Sequence, residues 1–171
     1  MNEEMKSSLN QIFQDYTIQR KIYQSEQEKL EREQINFIKA FEQCCQVVIR
    51  PVLEEYVSFL QDQGHRSEIK QVEQNTGRYL KSAIGIDIIP CDQIGLINKK
   101  DIFAYPLRFV ANQDKRQIEI EFGCNISNRN SQDQIPRNFR ISDVNRAVVE
   151  RALLIAISCV FQVVQPKFIN S

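Results

Sequence analysis

The chain predicts an α+β fold: a long N-terminal helix, a second helix, an antiparallel β-meander of three to five strands, and a C-terminal helix packed on the sheet. Three observations carry this. From Met1 to Arg50 there is neither glycine nor proline, and apolar residues recur at helical intervals. The stretches from Leu80 to Ile88 and from Leu107 to Cys124 alternate apolar and polar residues, the period of strands. The run from Ser142 to Pro166 returns to helical spacing and becomes almost wholly apolar towards its end.

Leu9, Tyr16, Tyr23, Leu30, Phe37 and Cys44 fall at strict seven-residue intervals, the repeat of a pairing seam. The companion positions are Ile12, Gln19, Glu26, Glu33 and Ala40, so half of that seam fails in its middle. A helix of about 45 residues would reach roughly 65 Å, about twice the width of a small domain. Part of it should project, which divides the chain into a projecting or pairing helix, residues 1–35, and a single α+β domain, residues 36–171. The N-terminal half carries too much apolar surface to leave in water. Either a second copy covers it, or a break near Ser25 folds the helix back on its own chain. The seam favours a homo-oligomer, with Leu9, Ile12, Tyr16 and Tyr23 at the interface.

Further along, Phe37, Phe41, Cys44 and Val48 form a face at helical spacing. Cys44 and Cys45 are adjacent, but helix neighbours point about 100° apart and cannot readily clamp one metal or bridge each other. The five cysteines, Cys44, Cys45, Cys91, Cys124 and Cys159, show no zinc or redox spacing. The pair should be small buried hydrophobes, and neither a metal nor a cofactor is expected. Pro51 either starts the second helix or kinks a continuous one. Val52, Leu53, Tyr56, Val57 and Leu60 share its apolar face, and Gly64 suits a left-handed cap. His65, the single histidine, then reads as a capping or surface residue.

SEIKQVEQ is compatible with a short strand or a helical turn. PLRFVANQDKRQIEIEFGC reads as a hairpin with the loop Asn112 to Lys115, which sets Phe109 opposite Ile118 and Arg108 opposite Glu119. Glu119 and Glu121 share a strand face at roughly 7 Å, as paired catalytic carboxylates could, but their polar neighbours indicate a solvated face. In the C-terminal helix Ser142 is a plausible N-cap. Val144, Ala147, Val148 and Ile155 share one side, and Arg151 falls among them as an exception.

Lysine plus arginine equals aspartate plus glutamate at 22 each, so no global field draws nucleic acid or an anionic membrane. The longest apolar stretch, Ala152 to Phe161, is about half the length of a spanning helix, so membrane insertion is not expected. The acidic, polar start lacks the pattern of a signal peptide, which predicts a cytoplasmic protein. No phosphate-binding glycine loop, G-x-S-x-G elbow or H-E-x-x-H pair is present. A long polar loop precedes the last helix. In an up-and-down sheet it shares an end with the turn at Asn98 to Asp101, which would gather Lys99, Lys100, Arg129, Arg137 and Arg140 into a site for an anionic ligand or acidic partner. The functional expectation is a non-catalytic interaction module or adaptor that self-associates through its N-terminal helix. The alternative is a small-ligand or anion-binding domain, and an enzyme built around Cys91, Asp92 or His65 is the third.

Overall fold

The structure, a computed structural model, describes residues 2–75, 80–91, 104–123 and 137–164. It separates into two compact units, Met1–Phe37 and Ile38–Ser171. Helix α1 spans Glu3–Cys44, 42 residues without a break, so no turn forms near Ser25. Asn2 starts it: the side-chain oxygen accepts the amide of Glu4 at 2.8 Å, and the carbonyl accepts that of Lys6 at 3.2 Å. Glu3 and Glu4 suit the positive end of the helix dipole. Surface pairs such as Lys6 with Glu3 and Arg32 with Glu28 support the helix locally, each contributing only about 0.2–0.5 kcal/mol.

In the second unit, a π-helical segment at Cys45–Ile49 leads directly into α2, Arg50–Asp62. Pro51 is the physical cause. It has no amide hydrogen, and its ring would strike the carbonyl four residues back in a regular helix. The widened turn, in which the Arg50 amide donates to the Cys45 carbonyl, absorbs that conflict. Packing follows from it. A spacing of four drifts about 40° per step round an α-helix, yet Phe41, Cys45, Ile49 and Leu53 are all buried. The wide turn keeps them on one face. Val48, assigned to that face by α-helical spacing, is only half-buried, and Ile49 takes its place.

Helix α2 stops at Gly64, whose φ of 83° only glycine adopts freely. The Gly64 amide donates to the Gln61 carbonyl and the His65 amide to the Leu60 carbonyl, both at 2.9 Å, the paired bonds of a Schellman stop.

Five strands follow: β1 (Arg66–Asn75), β2 (Leu80–Ile89), β3 (Tyr105–Asn112), β4 (Gln117–Phe122) and β5 (Asn138–Phe139). Each pairs antiparallel with the next, in the order of the sequence. SEIKQVEQ is strand throughout. The inner face of β2, β3 and β4 carries Ile84, Ile86, Ile88, Leu107, Phe109, Ile118 and Ile120, all buried. Helix α2 packs on β1 and β2, and α3 (Arg146–Val164) packs on β3, α2 and the π segment. The Ser67 hydroxyl donates to the Val57 carbonyl at 3.2 Å, tying β1 to α2.

The hairpin of β3 and β4 corrects the expected register by two residues. Its loop is Gln113–Arg116, so Phe109 lies opposite Ile120 and Arg108 opposite Glu121. The Asn112 side chain accepts the Lys115 amide at 3.0 Å, and Arg116 takes a left-handed φ of 52° to close the turn. A shift of two leaves every residue on the same face, so alternation alone could not detect it.

Helix α3 brings a second correction. Asn145, rather than Ser142, is the N-cap: its side chain accepts the Val148 amide at 3.1 Å, while Ile141–Asp143 forms a separate 3-10 turn. The buried side runs through Val149, Ala152, Leu153, Ala156 and Val160. Ala147 and Arg151 are exposed, which removes the exception that Arg151 posed.

Candidate functional site

Along the first unit the seam residues are open to solvent. Met5 is 58% exposed, Ile12 59%, Tyr16 62% and Tyr23 62%, while Leu9 is partly covered. Phe13, Ile18, Ile22 and Leu30 are exposed as well. The seven-residue line that includes Tyr16, Tyr23 and Leu30 continues to Phe37 and Cys44, both buried. One stripe therefore passes from solvated to packed. Side chains of this size in water forgo on the order of 1.5–3 kcal/mol each compared with full burial.

Of the basic residues expected to gather at one end of the sheet, Lys99, Lys100 and Arg129 lie outside the described residues. Arg137 and Arg140 are exposed and flank β5. The Arg137 carbonyl accepts the Ile120 amide at 2.9 Å. Because Asn138 pairs with Glu119 and Phe139 with Ile118, Arg140 continues towards the end of β4 that carries the Gln113–Arg116 turn.

A cleft of about 360 Å³ opens at the start of β1, lined by Gln61, His65, Arg66, Ser67, Glu68 and Ile89. His65 is fixed beside it: Nδ1 accepts the Cys91 backbone amide at 3.1 Å, and the ring centroid lies 4.5 Å from that of Phe161. The contact to Cys91 uses its amide, which gives the histidine a structural role at the helix stop. Asp92 lies outside the described residues.

The outer face of the sheet holds a charged pair that alternation did not reveal. Arg108 on β3 bonds to Asp87 on β2, with side chains 16% and 15% exposed. The same guanidinium donates to the Ile86 carbonyl at 2.7 Å and the Leu107 carbonyl at 3.1 Å. The register sets Arg108 opposite Glu121 rather than Glu119, and its head turns towards β2. Glu119 bonds instead to Lys115 at 3.1 Å and Asn112 at 2.8 Å. The Lys115 and Asn112 bonds hold the Glu119 carboxyl below its ordinary value, the opposite of what a proton donor needs.

Cys44, Cys45 and Cys159 are buried and Cys91 is exposed, and none of these four forms a disulfide. Burial raises the Cys44 thiol, and burial with the neighbouring Cys44 pushes Cys45 up to about 12. These thiols are inert at neutral pH, because the thiolate is the nucleophile and metal ligand. Among the described residues, no three His, Cys, Asp or Glu side chains converge as metal ligands. Among them also, no helix is long and apolar enough to cross a membrane.

Comparison with protein-family models, curated proteins and solved structures gave no match.

Proposed function

We propose that this protein is a non-catalytic interaction module or adaptor that self-associates through α1. The observation that carries the reading is the exposed stripe of Met5, Ile12, Tyr16 and Tyr23 along an unbroken helix. Helices in proteins are held mainly by packing of an apolar face rather than by propensity, so a helix of this kind gains stability from a partner helix. The tyrosines suit a narrow two-helix interface, where the rings pack and the hydroxyls reach water at the rim. A cytoplasmic setting fits the reduced thiols.

Light scattering on the full chain and on a double variant, L9E/Y16E, tests this. The native chain should weigh twice its monomer at high micromolar concentration. The variant should remain folded by circular dichroism and run as a monomer. A native monomer at that concentration would refute the reading, as would a double variant whose mass is unchanged.

A further inference from the structure

We infer that the occupant of the α1 stripe is a second copy of the same helix running antiparallel, with the two-fold axis passing beside Gln14. The inference rests on the self-association proposed above and adds the orientation and register of the pair.

The argument starts from what each seam residue would face. In a parallel pair every seam position meets its own copy, so Gln19 faces Gln19, Glu26 faces Glu26 and Glu33 faces Glu33. Like charges set directly opposite in a seam repel. Tyr16 and Tyr23 would also meet themselves, crowding two large rings into single layers.

An antiparallel pair sets each line of the seam against the companion line of the other helix. With the axis beside Gln14, Met5 packs on Tyr23 of the second copy, Leu9 on Gln19, and Ile12 on Tyr16, each layer repeating by symmetry. Large rings then meet medium side chains, and Met5, Ile12, Tyr16 and Tyr23 are each more than half exposed. Phe13, 63% exposed, comes to the axis opposite its own copy and extends the apolar strip. The overlap ends at Tyr23, so Glu26 and Glu33 stay outside it.

Other registers fail by the same test. Sliding the second helix by one heptad towards a longer overlap sets Leu9 on Glu26. Sliding it by two sets Tyr16 on Glu26 and Leu9 on Glu33. Sliding it the opposite way leaves Tyr23 uncovered. The chosen register does bring Lys6 beside Arg20 of the second copy and Asp15 beside its own copy. Glu3, bonded to Lys6 at 2.9 Å, and Gln11, whose amide donates to Asp15 at 3.0 Å, temper those repulsions.

Distances between nitroxide labels on the full chain decide the matter. Glu3→Cys and Gln24→Cys, both at exposed positions away from the seam, are labelled singly with Cys91 and Cys124 replaced by Ser, and the mass of each sample is checked by light scattering. The antiparallel register places each label roughly 35 Å from its copy, from about 1.5 Å of rise per residue plus the width of the pair. A slip of one heptad lengthens the Glu3 distance and shortens the Gln24 distance by about 10 Å each. A parallel pair brings both below about 25 Å. A dimer with either of the last two patterns overturns the orientation or register and leaves self-association standing. A monomer in every sample, the native chain included, overturns both.

Discussion

Gly85 on β2 lies directly against Leu107 on β3: a β carbon at Gly85 would fall inside the van der Waals envelope of the Leu107 carbonyl oxygen. Backbone cannot move aside as the tip of a flexible side chain can. Gly85→Ala should therefore separate β2 from β3 at the centre of the sheet. We expect a loss of about 3 kcal/mol or more, at or beyond the upper end for overpacking, seen as a lower urea midpoint. An unchanged midpoint would mean that the strands are not this close.

Above that glycine sits Arg108, with its guanidinium shared between Asp87 and two carbonyls. Truncating it strands an acid and two acceptors in a site only about one-sixth open, which follows from its 16% exposure. Arg108→Ala should cost about 2 kcal/mol, within the range for leaving buried polar groups unpaired. Arg108→Lys should recover part of that, since one ammonium cannot reproduce the fork. Full recovery by lysine in a denaturant titration would contradict the shared geometry.

Much of this fold is legible in the sequence, for reasons that particular residues make clear. Phe37, Phe41 and Cys44 announce a helix because their spacing matches 3.6 residues per turn. Ile84, Ile86 and Ile88 announce a strand by alternation. The displaced face at Ile49 was hidden because a π turn breaks the assumed period, although Pro51 marked the place. The Arg108 pairing was hidden because it depends on which strand neighbours which, and on a turn set by Asn112 and Arg116. The exposed stripe of α1 was visible as spacing, and its length followed from the absence of glycine and proline. The basic cluster depended on loop placement, which no periodic signal encodes.

Glu119 should leave a mark on the acid limb of stability. Its hydrogen bonds from Lys115 and Asn112 lower its folded value below that of the unfolded chain. The stabilisation is therefore present above the ordinary glutamate value of about 4.3 and is lost as pH falls through the lowered folded value. Glu119→Gln should flatten the dependence of urea midpoint on pH in that window and change its slope little near neutrality. Equal slopes below pH about 4.3 in the two proteins would rule out the linkage.

The thiols should separate cleanly by reactivity. Cys91 is exposed, whereas Cys44, Cys45 and Cys159 are buried and burial drives the Cys45 thiol up to about 12. Alkylation of the native protein at pH 8, read by peptide mapping, should modify Cys91 far ahead of those three. Cys44→Ala and Cys45→Ala should each lower stability by about 1–2 kcal/mol. Rapid native modification of Cys45 would contradict its place in the core.

Whether α1 is an interface is measured most directly by sedimentation equilibrium of the unmodified full chain across a range from low to high micromolar. The account predicts a reversible rise from the monomer mass of 20.0 kDa to twice that value as concentration increases. A single monomer mass across the whole range would contradict it.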